Sequence, residues 1–425
     1  MITALESQHI VSPIRRLKIC HLSKYYPPVP GGIETHVQSL ARSQAELGHD
    51  VSVLCSSSKE FHKSQNLSGC NTIEVDKGVC VIRFRCLLSI AKLDLSLDLL
   101  KYLWTVATSK EYDIVHIHTP NPTMILGWYL VCFFASFRKL GTASLVVTHH
   151  SDIIKQRFRK FLLYPFKKFV YEKAVYILAT SPNYLDGSNL LSIFHSKVKV
   201  LSLGLDLQLY LNPTPASVAY RSYLEHKYGD QIWLCVGRLI YYKGIHMALE
   251  ALTKVPGKLL IIGTGKLEKK LKEKSTQLGV SERVVWLGHV DQDQLAGAYQ
   301  AATAFWFPSN ARSEGFGLVQ VEAMASTCPV INTHIPGSGV SWVSRHQQEG
   351  FTVGIGDAEA LAKAASQLLE DKELRNHLAE SARRRACKEF EQMRMAEQSL
   401  EIYRNVLGQP HDLVMPLKAK EGVSA

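Results

Sequence analysis

Residues 231–265, QIWLCVGRLIYYKGIHMALEALTKVPGKLLIIGTG, decide the fold. QIWLCVGRL is a short apolar run of strand type, and IHMALEALTKV spaces its apolar residues as a helix does. KLLIIGTG is a second strand-type run that stops on glycines. A strand, a crossing helix and a strand make a parallel pair. The alternation continues through KLEKKLKEKSTQLG, a polar helix, and then RVVWLGHV, TAFWFPS, LVQVEAMAS and PVINTHIPG. Upstream, RRLKICHLSKYYPP, GGIETHVQSLARSQAELGH, DVSVLCSSS, DIVHIHTP, SLVVTHHSD and AVYILATSP form an earlier series of the same kind. The expectation is α/β: two Rossmann-like, doubly wound domains facing across a cleft. They join near GLDLQLYLNPTP at 204–215. The domains are set at 14–208 and 209–389, with a charged helix of about 390–408 returning to the first.

Composition fits that picture and removes others. The chain has 425 residues, 46% hydrophobic and 20% charged, which is ordinary globular composition with length for two or three domains. The formal net charge is +11, and residues 1–210 hold 24 Lys/Arg against 15 Asp/Glu. The front half is therefore the one expected to meet an anionic surface. The most apolar run, Met124 to Phe137, is shorter than the roughly 20 residues of a membrane span and reads as a buried helix. The start of the chain has no apolar h-region, so no cleaved leader is expected. Nine scattered cysteines form no CxxC pair, which points to free thiols in a reducing cytoplasm.

In doubly wound sheets ligands bind beyond the carboxyl ends of the strands. The unusual residues fall there: PGG after the first strand, HH after SLVVT, GR after LCV, GTG after LII and SEGFG after FWFPS. Gly31 and Gly32 open a helix, where a backbone can approach an anion, although a plain tight turn would use the same residues. GTGK at 263–266 matches neither a dinucleotide fingerprint nor a P-loop. In SEGFGLVQVEAMA, Glu314 sits on a glycine-punctuated loop and Glu322 in the helix behind it. The helix start at Phe316, Gly317 and Leu318 offers N–H groups to a diphosphate. Spacing alone favours a surface loop carboxylate and a salt-bridged helix glutamate.

The order of GGIETHV, THHSD, VGRLIYYKG, IIGTG and SEGFGLVQVEAMA resembles the GT-B glycosyltransferases of retaining family 4, over roughly Lys18 to Leu407. The resemblance implies that Gly31 and Gly32 lie near the donor phosphates and the acceptor. It implies that Arg238 and Lys243 neutralise the diphosphate, that Glu314 positions the transferred sugar and that Glu322 holds the ribose. Gly263 and Gly265 then shape the base pocket, with Gly237 among the nucleotide-binding residues. His150 takes the place of the histidine that hydrogen-bonds the donor sugar, and His149 is its core or surface neighbour. No cofactor and no metal are implied, and Asp291-Gln292-Asp293 reads as a helix N-cap. SRHQQEGFTV at 344–353 departs from the family's tighter HG-x-x-G turn.

THIPGSGVSWVSR and THHSDII resemble bacterial rhamnosyl- and mannosyltransferases of O-antigen and exopolysaccharide assembly. GDP-mannose is the first donor expected, ahead of GDP- or dTDP-rhamnose and UDP-hexoses; the acceptor is lipid-linked or an oligosaccharide. A catalytically silent GT-B partner, or a synthase with a soluble acceptor, are the other classes. All four of Arg238, Lys243, Glu314 and Glu322 are present, which opposes the silent reading. Residues 155–168 mix cations with aromatics. They read either as an anionic-membrane contact, peripheral on the cytoplasmic face of the inner membrane, or as a helix packing its aromatic stripe inward. No nucleic-acid recognition motif accompanies the charge.

Overall fold

The computed structural model describes residues 15–29, 31–57, 71–90, 93–151 and 157–408. Runs such as KICHL, IVHIHT and SLVVTH are buried almost throughout, because a parallel strand is covered by helices on both faces. The first sheet contains β1 (Lys18–Leu22), β2 (Asp50–Ser56), β3 (Thr72–Asp76) and β4 (Val79–Phe84). A small hairpin, β5 (Leu88–Ile90) and β6 (Leu93–Leu95), stands outside it. β7 (Ile114–Thr119), β8 (Ser144–His149), β9 (Tyr176–Ala179) and β10 (Val198–Val200) complete the sheet, in the order β10-β9-β8-β7-β1-β2-β4-β3. Only β3 runs antiparallel, joined to β4 by Lys77-Gly78, both at positive φ.

The second sheet is wholly parallel: β11 (Ile232–Val236), β12 (Lys258–Ile262), β13 (Val284–Gly288), β14 (Ala304–Phe307), β15 (Val330–Thr333) and β16 (Gly350–Val353). Its order is β13-β12-β11-β14-β15-β16. Each sheet carries a hydrophobic core on both faces. The helix Gln392–Val406 crosses back. Its Met395, Ala396, Leu400 and Tyr403 share a core with Val37, Leu40 and Ala41 of the helix Gly32–Glu46. The crossing is pinned where Leu205 N–H donates to Phe390 O and Gln392 N–H to Leu205 O.

The apolar run from Met124 is a helix, Pro122–Phe137, but only one face is buried. Phe133, Phe134 and Phe137 are exposed. The helix Arg157–Lys173 divides the aromatic stripe expected of it. Phe166 and Phe169 pack on Tyr129, whereas Phe161 and Leu162 face solvent. Lys155 lies outside the described residues, as do the side chains of Arg157, Phe158, Arg159 and Lys160. Among the described residues, no helix is long and apolar enough to cross a membrane, and the cysteines are unpaired.

Candidate active site

The loops beyond β11, β12 and β14 form one wall of the site. Gly237 follows β11 at φ 142, and a side chain there would press on the Lys243 stem. Gly263, at φ 128 beyond β12, lies against the Gly237 carbonyl, and Gly265 against that of Leu239. These glycines are required by backbone meeting backbone, which draws the two loops together. Gly244, at φ 65, packs on the Pro308 carbonyl and so brings Lys243 to the loop after β14.

There Lys243 Nζ lies 2.6 Å from Glu314 Oε2, with each side chain only 12% exposed. Ser309 Oγ donates to the same carboxylate oxygen at 3.4 Å. Lys243 also stands over the Phe307 ring, 4.9 Å from its centroid. Arg238 donates to Tyr242 Oη at 3.1 Å and is the more exposed cation. The Phe316 side chain is core, packed on Trp342 and Phe390. The N–H groups of Phe316, Gly317 and Leu318 make no hydrogen bond among the described residues. Gly317, at φ 82, caps the helix Leu318–Ala325.

That helix carries Glu322, which accepts from Tyr299 Oη at 2.9 Å. Burial pushes its carboxyl up to about 7, opposed by the Tyr299 hydrogen bond and by Lys243. Asp291 caps the helix Gln292–Ala301 with a complete capping box, as its sequence context predicts. In SRHQQEG, the Glu349 carboxylate accepts from Arg345 N and Nε, and Gln347 turns at φ 59.

The opposing wall comes from the first sheet. Pro30 lies outside the described residues. Gly31 packs directly on the Glu34 carboxylate, so the protein's own acid sits at the helix start that the sequence reads either as a tight turn or as an approach to a phosphate. Burial raises the Glu34 carboxyl, while its own backbone N–H, Lys24 and Arg238 favour its charge. Gly32 has open space around it. The two walls touch where Gly315, next to Glu314, abuts the His150 carbonyl, and where Gly187 meets Gly337. Arg312 spans the second contact, donating to both the Gly187 and Gly337 carbonyls.

The two adjacent histidines part company. His149 is buried and shares a hydrogen bond with Tyr171 Oη at 2.8 Å. His150 turns into a cluster of buried histidines that the sequence reading did not single out: His21, His36, His116 and His118. His118 Nδ1 lies 3.2 Å from His150 Nε2, and His118 Nε2 lies 3.0 Å from His21 Nδ1. His36 meets His150 edge-on at 4.8 Å, and neither of its ring nitrogens has a hydrogen-bond partner. Burial lowers His21 to about 4, His36 to about 3, and His116, His118 and His150 well below the usual range. All five are neutral at pH 7. The trios His21/His116/His118 and His36/His118/His150 are close enough to ligate a metal ion. Both nitrogens of His21, His116 and His118 are already hydrogen-bonded, so a cation at either trio would displace existing bonds.

Family models match both halves: Glycosyltransferase Family 4 over residues 30–209 and Glycosyl transferases group 1 over 219–385. The chain is 30% identical over 392 residues to O-antigen chain mannosyltransferase C of Escherichia coli, covering 92% of this chain and 98% of that protein. It is 32% identical over 370 residues to the D-rhamnosyltransferase WbpZ of Pseudomonas aeruginosa, covering 87% and 91%. The chain belongs to the group 1, family 4 glycosyltransferases. Its fold is GT-B. The Anabaena protein HepE in complex with UDP superposes with a TM-score of 0.73 at 21% identity, over 92% of this chain and all of that one. Sucrose-phosphate synthase from Thermosynechococcus elongatus superposes at 0.71 and 22%, with the same coverage.

Proposed function

We propose that this glycosyltransferase transfers mannose from GDP-mannose, with retention and without a metal, to a lipid-linked or polysaccharide acceptor in cell-surface glycan synthesis. Residues 14–208 take the acceptor side and 209–389 the donor side. The observation that carries the reading is the Lys243–Glu314 pair, on the loop whose Gly315 abuts the His150 carbonyl, with Arg238 and Glu322 on the same wall. When a diphosphate arrives, Arg238 and Lys243 neutralise the charge that grows as the nucleotide leaves. Lys243 then shares its charge with the phosphate, and Glu314 turns its free acceptor capacity to sugar hydroxyls. Glu322 accepts from the ribose hydroxyls. The N–H groups of Phe316, Gly317 and Leu318 face the phosphates, Gly237, Gly263 and Gly265 shape the nucleotide seat, and His150 addresses the transferred sugar. The acceptor oxygen bonds to the sugar carbon on the face the phosphate leaves, and its proton passes to the departing phosphate oxygen. His36, neutral and unpartnered beside His150, is a further polar group that a sugar would satisfy.

The D-rhamnosyltransferase similarity supports a second donor, since D-rhamnose is mannose without the 6-hydroxyl. A site that hydrogen-bonds this hydroxyl rejects the deoxy sugar by about 10⁴-fold; an apolar one discriminates by only about 10²-fold. Peripheral binding on the cytoplasmic face of the inner membrane fits the basic front half and the exposed Phe161 and Leu162. Thermal shift and nucleotide release should be measured with GDP-mannose, GDP-D-rhamnose and UDP-glucose. GDP-mannose should give the largest response. A response to UDP-glucose alone would overturn the donor, and no response to any would favour the silent partner.

A further inference from the structure

The histidine cluster has a direction, and it begins in the C-terminal helix. Ser399 Oγ donates to the Ala396 carbonyl at 2.6 Å, which commits its one proton. It therefore accepts from Gln44 Nε2 at 2.8 Å. A flipped amide would set two acceptors against each other there, so Gln44 turns its Oε1 to His21 Nε2, 2.8 Å away. His21 carries its proton on Nε2, and its Nδ1 lone pair faces His118 Nε2. His118 is then protonated on Nε2, and its Nδ1 lone pair faces His150 Nε2. His150 is thus protonated on Nε2, and its Nδ1, with no partner among the described residues, keeps a lone pair. The other amide hydrogen agrees. Gln44 Nε2 lies 3.4 Å from Tyr403 Oη, whose proton goes to His116 Nδ1 at 2.6 Å, and His116 Nε2–H donates to Thr148 Oγ1 at 2.6 Å.

We infer that Gln44 and Ser399 are positioning residues that fix the tautomer of His150 through His21 and His118, so that His150 offers an acceptor rather than a donor to the transferred sugar. The catalytic consequence rests on the placement of His150 at the sugar; the tautomer itself does not. Because burial keeps each ring neutral, each has one proton to place, and one amide oxygen at the far end of the chain decides all three. A sugar hydroxyl is free to donate to Nδ1. In the opposite tautomer, Nδ1–H would demand an acceptor from the same hydroxyl. The C-terminal helix is thereby tied to the chemistry through a residue that touches no substrate.

Long-range proton–nitrogen spectra of protein labelled with ¹⁵N in its histidine rings test this, with the His150 signals identified by their loss in His150→Asn. The wild-type protein should show His150 protonated on Nε2 and bare on Nδ1; protonation on Nδ1 would overturn the inference without any variant being made. Gln44→Met, which removes the acceptor, should mix the His150 tautomers. It should also lower kcat about tenfold or more while leaving affinity for bare GDP unchanged. Ser399→Ala is a smaller change and should shift the tautomer the same way. Wild-type His150 shifts in both Gln44→Met and Ser399→Ala would also overturn the inference. A shifted tautomer with unchanged kcat would support the chain and instead remove His150 from the sugar.

Discussion

Glu322 carries a buried carboxylate whose ionisation works against the fold. Its carboxyl is raised to about 7 by burial, against the usual 4.5. The folded state therefore prefers the neutral form, and stability falls as pH rises from about 4.5 through 7, about 3 kcal/mol in all. Without nucleotide, Glu322→Gln should melt higher than wild type at pH 8 and alike at pH 4; equal melting at pH 8 would refute the shift. Under the ribose assignment the ionised form is the better acceptor. GDP affinity should then rise more steeply with pH in wild type than in Glu322→Gln. Gly263 makes a second residue-scale case. Gly263→Ala combines a left-handed φ with a clash on the Gly237 carbonyl, whereas Gly279→Ala, at φ 70, meets open space. The first should cost about 1–3 kcal/mol more than the second and weaken GDP binding, as thermal melts and titrations would read. The family resemblance marks Gly263, but as part of the base pocket. That it answers to the Gly237 carbonyl needs the neighbouring loop, which no local pattern contains.

At the scale of elements, the alternating strands and helices were legible because a parallel strand must be apolar on both faces. The stretch from Thr72 to Phe84 was not. β3 exposes Ile73 and Val75, so its apolar alternation points to solvent and the Lys77-Gly78 turn is the better signal. The histidines were missed for a related reason. His116 and His118 alternate on one face of β7, with His21 opposite His116 in β1, a pairing visible only once the strands are in register. The helix Arg157–Lys173 keeps both readings of its sequence, with Phe169 inward and Phe161 outward. If its outer face meets anionic lipid, binding should require anionic vesicles and fall with salt, each basic residue contributing on the order of 1 kcal/mol. Replacing Arg157, Arg159 and Lys160 by Ser should reduce vesicle co-sedimentation and spare turnover on a soluble acceptor analogue. Equal binding to neutral and anionic vesicles would leave this face as ordinary surface.

For the whole molecule, the sequence supplied two halves and the residues at their strand ends, but not how the halves meet. Gly315 against His150, Gly187 against Gly337, and the return of Gln392–Val406 to the first sheet bring the two sets of loops onto one cleft. On the proposed reading, that cleft is a nucleoside diphosphate seat whose charge is met by Arg238 and Lys243. Calorimetric titration of bare GDP into the wild-type protein, Arg238→Ala and Lys243→Ala reads this without needing the acceptor. GDP should bind the wild type in preference to UDP, and each substitution should weaken it at least about tenfold in protein that still folds, although Lys243→Ala, which strips Glu314 of its partner, should melt lower. Wild-type affinity in both folded variants, or no binding of GDP at all, would contradict it.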